Sequence, residues 1–429
     1  MNNVEYPRFT VIIPQKDRAE YLIHTLRTCM IQDYPNFEVI VGDDCSEDNT
    51  VEVVHELQKQ DPRIKLIAHK QHVGMRMNFE LALAEVKPGY VMALGGDDGL
   101  VPGCIWRMYE IIQETGTELL TWQQAGYKYP GADGGDAILS VPRKKENELC
   151  WIKSSDFLNS ISSTLNYMVK ECPMFYIKGV ASTKLVDRVK SRTPDGCFYY
   201  CPTPDGFSGV VLAGEVEKYV FTSEPLSING DSPKSQGRNY KRTDEKSKQE
   251  SKQFFEDNAR ITMHKQLASQ QYSPLITLMT ADYLLTANDL PNWPGEFKMF
   301  SMEHLLRRTF AFMGTAAFER ETLDRELNIL REIAIQHNLL KLYNELYHST
   351  KRRIVRQRNY SGDINMSRNV IVVNASKVKI NNVFDAAIAV PYSYNINDTF
   401  NLASIIKIYW NSFKTFIERK RVKVEYLNK

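Results

Sequence analysis

Two pairs of adjacent carboxylates stand at matching places in the first hundred residues. Asp43 and Asp44 close the run FEVIVGDD, and Asp97 and Asp98 follow YVMALGG. Like charges side by side repel unless a cation, a hydrogen-bond donor or solvent comes between them. A divalent cation is one such partner. Mg2+ or Mn2+ is hard and oxygen-seeking, and it takes one or two carboxylates together with phosphate oxygens and water. The alternative for Asp97 and Asp98 is a turn or helix cap, because Asp-Gly is a good turn dipeptide. For Asp43 and Asp44 the alternative is a solvated loop capping a helix near Ser46 and Asp48. A third acid, Asp205, lies in the second of two TPDG segments, at 193–196 and 203–206, just ahead of the small-residue run Phe207 to Gly214. Asp195, in the first, is plain turn chemistry.

The elements that must position these acids follow from the apolar pattern. RFTVIIP reads as a buried strand, rich in β-branched residues and stopped by Pro14. Leu22, Ile23, Leu26, Cys29 and Met30 recur at helical spacing. FEVIVGDD is the next strand, SEDNTVEVVHELQKQ opens a helix with acids in its first turn, and RIKLIAH is a third strand. Met75, Phe79, Ala82, Leu83 and Val86 form one helical face, YVMALGG is the fourth strand, and Ile105, Met108, Ile111 and Ile112 mark another helix. Alternation of this kind builds an α/β fold with a mostly parallel sheet flanked by helices. Ligands on such sheets sit beyond the carboxyl ends of the strands. Both acid pairs fall there, so four carboxylates converge on one crevice.

The remaining bounds narrow the class. The chain has 429 residues, with Lys+Arg 54 against Asp+Glu 52, a balance that argues against a dedicated nucleic-acid binder. Its 7 cysteines include no Cys-x-x-Cys pair, which fits free thiols in a reducing compartment. Cys197 and Cys201 lack a second pair of ligands for zinc. The amino end, MNNVEYPRFTVIIPQ, has no signal-peptide pattern. No apolar stretch approaches the roughly 18 residues needed to span a bilayer. A cytoplasmic protein is expected. No Gly-x-Gly-x-x-Gly follows the first strand and no P-loop is present, which disfavours dinucleotide oxidoreductases and P-loop enzymes.

The run FTVIIPQKDRAEYLIHTLRTCMIQDYPNFEVIVGDDCSEDNT resembles the start of family 2 glycosyltransferases. The resemblance continues through HVGMRMNFELALAEVKPGYVMALGGDDGLVPG, CFYYCPTPDGFSGVVLAG and EPLSINGDSPKSQG, in order over roughly the first 237 residues. It implies a GT-A fold and transfer of a sugar from a nucleoside-diphosphate sugar to an acceptor, with inversion. It also implies a Mn2+ or Mg2+ ion at Asp97 and Asp98. The family commonly has Asp-x-Asp-Asp at this strand end; Gly95 and Gly96 stand in the first two places, so one acid is missing. By the same resemblance Asp43 and Asp44 hold the nucleoside, and Cys45 replaces a usual glycine. Pro14, Gln15 and Arg18 line the base and ribose; Gly74, Arg76 and Asn78 line the donor crevice, with Arg76 a candidate for phosphate; and SINGDSPKSQG closes over the donor, with Lys234 either meeting phosphate or simply solvated. An inverting transfer needs a general base for the acceptor hydroxyl; Asp205 matches the family's acid for that role. Trp122 and Tyr127 are candidates for sugar stacking or for the core.

The expected organisation is a nucleotide-sugar-binding catalytic domain over 1–232, a polar loop or linker over 233–252, and a mainly helical C-terminal region over 253–429. NVIVVNASKVKINNVFDAAIAVPYSY is a possible return to strand. The final segment, SIIKIYWNSFKTFIERKRVKVEYLNK, is basic and amphipathic, with Ile405, Ile408, Tyr409, Phe413, Phe416 and Ile417 on one side; it suits peripheral contact with the inner face of a membrane or packing on the protein. The acceptor implied by the resemblance is a glycan or a lipid-linked glycan, in polysaccharide biosynthesis. Two other readings stay open at this level: a non-catalytic nucleotide- or sugar-binding member, and a nucleotidyltransferase on a similar fold.

Overall fold

Four short apolar runs near the amino end become neighbouring strands: β1 (Phe9–Gln15), β2 (Phe37–Asp43), β3 (Ile64–Ala68) and β4 (Tyr90–Ala93). In the computed structural model they pair in parallel in the order β3-β2-β1-β4. The structure describes residues 6–132, 135–145, 149–235, 262–268, 271–313, 320–350, 364–366 and 370–395, with 249, 252–253 and 255–256. The sheet continues past β4 through strands later in the chain. After the two-residue β5 (Gly99–Leu100) come β6 (Leu119–Trp122), β7 (Ala125–Lys128), β8 (Ile138–Pro142), β9 (Leu149–Lys153), β10 (Gly179–Ser182), β11 (Lys218–Thr222) and β12 (Ser227–Asp231). The large sheet has 8 strands in the order β3-β2-β1-β4-β10-β6-β11-β9. Only β10 and β9 run against the rest, as their antiparallel pairings require.

Burial on both faces explains why β1, β2 and β4 are apolar almost without interruption, while β3, at the sheet edge, is half exposed. The helices α1 (Ala19–Met30), α2 (Thr50–Gln60), α3 (Met75–Ala84), α4 (Cys104–Thr115), α5 (Ser154–Thr164), α6 (Thr183–Lys190) and α7 (Pro204–Gly214) connect and cover them. Side chains alternate between the two faces. Ile12 and Ile40 enter one core layer with Phe79, Leu158 and Val210, while Val11, Ile13, Val39 and Val41 enter the other with Leu22, Leu26 and Met108. β1 runs through Pro14 to Gln15 rather than stopping at the proline. Its pairing with β4 ends at Ile12↔Ala93, so beyond that point β1 has a ladder neighbour on one side only, and Pro14 sits opposite Gly42 of β2. A missing N–H is tolerated where no second neighbour asks for it.

The later chain is helical in part. α8 (Ile276–Asn288), α9 (Met302–Met313), α10 (Arg320–Gln336) and α11 (Leu340–Thr350) extend the first core layer through Leu278, Leu284, Leu305, Phe310 and Leu330. The chain then returns to its amino-terminal half. β13 (Ile364–Met366) and β14 (Val370–Asn374) join a second sheet of 6 strands in the order β13-β14-β8-β7-β12-β5, and α12 (Val383–Tyr394) packs on α1. Ile380, Val383, Ala386, Ala387 and Val390 fill the second core layer. Trp122 and Tyr127 are both fully buried; Trp122 Nε1 donates to Ser227 Oγ at 2.7 Å, and the Tyr127 hydroxyl to the Ile380 carbonyl at 3.0 Å. Most of the expected linker, and the basic segment 404–429, lie outside the described residues. Among the described residues no helix is long and apolar enough to cross a membrane.

Candidate active site

The chain leaves β1 in two directions, to β2 and β3 on one side and to β4 on the other. Such a reversal opens a crevice beyond the strands' carboxyl ends. Three strand ends supply it: Gln15 from β1, Asp43 and Asp44 from β2, and the Gly95–Asp98 turn after β4.

Asp43 and Asp44 are buried rather than solvated. Gln15 Nε2 donates to Asp43 Oδ1 at 2.9 Å, and the Ser46 backbone N–H donates to Asp43 Oδ2 at 3.2 Å. Because a carboxylate only accepts, that contact fixes which end of the Gln15 amide is the nitrogen. Its other end, Gln15 Oε1, is buried without a hydrogen-bond partner. Asp44 takes the backbone N–H groups of Val73 at 2.7 Å and Gly74 at 3.0 Å, with His72 Nδ1 at 2.9 Å. Gly74 has φ +82°, which glycine adopts freely, and it leads into α3. Asn78, on α3, spans the strand ends by donating to the Gly42 carbonyl at 2.9 Å.

The turn carrying Asp97 and Asp98 is held from several elements. Thr25 of α1 donates to the Gly96 and Asp98 carbonyls, and the Tyr129 hydroxyl donates to the Asp97 carbonyl at 3.2 Å. Asp98 accepts from the Gly95 N–H at 2.7 Å, the Gly230 N–H at 2.8 Å and the Tyr176 hydroxyl. Burial, and then the neighbouring Asp97 charge, push its carboxyl up to about 7. Gly230 must lack a side chain, since a Cβ there would lie 1.7 Å from the Asp97 carbonyl oxygen. Asp97 has a different circle. Arg18 Nη1 donates to Oδ1 at 3.1 Å, and the hydroxyls of Ser232 and Ser235 donate to Oδ2 at 2.6 and 2.8 Å.

The other expected residues divide between this crevice and its flank. Arg18 pairs with Asp97 at the carboxyl end of β4. Arg76 turns the other way: Nη1 donates to the Tyr199 carbonyl at 2.8 Å, and the guanidinium lies over the Tyr200 ring at 5.9 Å. Asp195 is exposed and accepts from the Cys197 N–H and the Tyr200 hydroxyl, as a turn residue would. Asp205 opens α7, is partly buried, and leaves Oδ1 buried without a partner. Burial raises its carboxyl above the ordinary range. Burial, and then the charges of Asp98 and Asp97, raise the Tyr176 hydroxyl above its ordinary range, with a smaller effect from Asp205.

A two-carboxylate cation site does not fit the residues as they stand. Both Asp98 oxygens are committed to the turn and to Tyr176, and its side chain is fully buried. Asp97 already bears a guanidinium on one oxygen and two hydroxyls on the other. Among the described residues no three His, Cys, Asp or Glu side chains gather as a metal-binding group. Sequence reasoning passed over Tyr176, Ser232 and Ser235. No short motif marks Tyr176; the two serines lie inside SINGDSPKSQG, where only the lysine was singled out.

The model of the family described as "Glycosyl transferase family 2" matches residues 10–167. A Bacillus subtilis protein named putative teichuronic acid biosynthesis glycosyltransferase TuaG is 27% identical over 128 residues, 30% of this chain and 50% of that protein. The Campylobacter jejuni GalNAc(5)-diNAcBac-PP-undecaprenol beta-1,3-glucosyltransferase is 34% identical over 100 residues, 23% of this chain and 32% of that protein. The chain thus spans half or less of the length of these relatives. Among solved structures, Staphylococcus aureus TarS 1–349 in complex with UDP-GlcNAc has a TM-score of 0.46 at 17% identity, covering 81% of this chain and 88% of that one.

Proposed function

We propose, from the premise that residues 10–167 belong to glycosyl transferase family 2, that this protein transfers a sugar from a nucleoside-diphosphate sugar to a glycan or lipid-linked acceptor. The observation that carries the reading is the switch-point crevice. Gln15 Oε1 is buried there without a donor, beside Asp43 and across from the Arg18–Asp97 pair. An unpaired buried acceptor costs roughly 1–3 kcal/mol, and a nucleobase N–H would relieve it. Asp43 keeps Gln15 in place, and Asp44 fixes the 72–74 turn that walls the crevice.

Asp205 is the proposed general base. Its Oδ1 is buried without a hydrogen-bond partner, and burial outweighs the backbone N–H groups of Asp205 and Gly206 that lower its pKa, so the net rise brings it nearer to neutrality, where a base works best. Asp205 takes the proton of the acceptor hydroxyl as that oxygen attacks the anomeric carbon. The bond from that carbon to the diphosphate oxygen breaks, and the electron pair leaves with the nucleoside diphosphate. One displacement inverts the anomeric centre. A divalent cation, where one binds, neutralises the diphosphate. Asp97, the carboxylate that would meet it, is already paired with Arg18, Ser232 and Ser235.

Polysaccharide or lipid-linked glycan assembly is the process proposed; one relative is named for teichuronic acid biosynthesis and another for a PP-undecaprenol-linked glycan. The test is thermal stabilisation by UDP, GDP, ADP and CDP, followed by hydrolysis of the matching nucleotide sugars. A ligand that binds only the folded state must raise its stability. Stabilisation by one nucleotide with slow release of its sugar supports the reading. No stabilisation by any of them overturns it.

A further inference from the structure

Asp97 is the one carboxylate of its pair turned to the crevice, and its cation comes from the protein. Arg18 Nη1 lies 3.1 Å from Asp97 Oδ1, and Arg18 Nη2 donates to the Lys234 carbonyl at 2.8 Å. Lys234 Nζ in turn donates to the Asp17 carbonyl at 2.6 Å. The segment after β12 is thus pinned to the loop after β1 by a guanidinium on its backbone and an ammonium reaching back to the Asp17 carbonyl. Neither is sealed off: their side chains are 17% and 34% exposed.

We propose that Arg18 and Lys234 hold the donor diphosphate in place of a divalent cation. This rests on the nucleotide-sugar reading above. Three observations support it. A guanidinium has five N–H donors, and two of those on Arg18 have protein partners, which leaves donors for phosphate oxygens. Asp97 already takes three donors of about four it can accept, so a cation would have to strip Arg18 or a serine from it. Removing a largely buried guanidinium from its carboxylate leaves an uncompensated charge, which is costly. The missing acid of the pair also has no room to return. A Cβ at Gly95 would lie 2.5 Å from the Tyr176 hydroxyl oxygen and 2.8 Å from Asp98 Oδ2. Arg18 faces Asp97, while the charges near Lys234 are those of Glu20 and Asp48. The nearby Glu20 stands 3.8 Å from Lys234 Nζ with its side chain 63% exposed, where solvent screens it.

The experiment is calorimetric binding of UDP, GDP, ADP and CDP to the full chain, once in EDTA and once with Mn2+, with the parent nucleosides as a second set. The expected result is that one diphosphate binds in EDTA, with its affinity changed less than about threefold by Mn2+. Lys234→Met and Arg18→Met should each weaken that diphosphate by about tenfold or more while leaving its nucleoside unchanged, with Arg18→Lys partly restoring it. Lys234 is partly exposed and on a loop, so Lys234→Met remains readable if Arg18→Met fails to fold. Diphosphate binding that requires Mn2+, or that Lys234→Met leaves intact, overturns the proposal and spares the nucleotide-sugar reading. Absence of binding by every nucleotide and nucleoside, with and without Mn2+, overturns both.

Discussion

The Tyr176 hydroxyl occupies the space in which a side chain at residue 95 would begin. It donates to Asp98, and a Cβ on Gly95 would fall 2.5 Å from its oxygen. The glycine and the tyrosine are therefore one arrangement: the turn gives up an acid and gains a phenol on the neighbouring one.

Putting the acid back tests this. Gly95→Asp should destabilise the protein by about 1–3 kcal/mol, as overpacking in a closed site does. Tyr176→Phe removes the clashing oxygen, so the double variant should recover part of the loss. Urea unfolding of the four proteins in a double-mutant cycle reads the coupling. Purely additive losses would show that the two residues do not compete for the same space.

The buried acid of the turn predicts a pH dependence. Asp98 rises from an ordinary 3.8 to about 7, and it faces Asp97 and Tyr176, with Arg18 on the far side of Asp97. Between those values the folded protein binds more protons than the unfolded chain. The contribution to stability is complete below about pH 4 and is lost as pH rises through about 7. Asp282 on α8, which burial also lifts to about 7, adds a second component of the same sign. Asp98→Asn should make the fall between about pH 4 and 7 shallower by up to about 1.4 kcal/mol per pH unit. Chemical unfolding at a series of pH values measures it, and an unchanged slope would mean that Asp98 does not carry the proton.

Asp205→Asn separates binding from transfer. Loss of a general base should lower turnover by about 10²–10⁴-fold. Affinity for the nucleoside diphosphate should stay within about threefold of wild type. Loss of nucleotide binding together with turnover would assign Asp205 to the donor side or to the fold.

The return of the chain through β14 and α12 makes the amino-terminal sheets depend on residues far along the sequence. Ile380→Ala should cost about 2–5 kcal/mol, the range for a large-to-small change in a core. Removing residues from 351 onward should abolish the near-UV circular dichroism of the aromatic core, because Leu139, Val141 and Tyr127 lose their cover. Retention of that signal in the shortened chain would show that the second core layer closes without α12.

How much of this was legible in one dimension depends on whether the cause was local. β1, β2 and β4 could be read because strands buried on both faces are mostly apolar along their length; β3, at the sheet edge, is half exposed and carries Lys65, and its run was legible from Ile64, Leu66 and Ile67. The positions of Asp43, Asp44, Asp97 and Asp98 beyond strand ends followed from the same runs, since parallel order sends every strand's carboxyl end to one edge. Asp195 and Asp205 share a TPDG motif, and it was the small-residue run after the second that distinguished the helix start from the turn. What those side chains touch was not legible. Arg18 and Asp97 are 79 positions apart, Asp97 and Ser235 are 138, and Tyr127 and Ile380 are 253. No local propensity encodes such pairings; only packing the layers brings them within hydrogen-bond reach. The sequence by itself determined the parallel sheet and the edge at which carboxylates gather, because periodicity and chain direction are local properties. Tertiary structure alone decided that Asp98 is spent on backbone amides and that Asp97 carries a guanidinium, because a buried charge takes whichever partners the fold delivers.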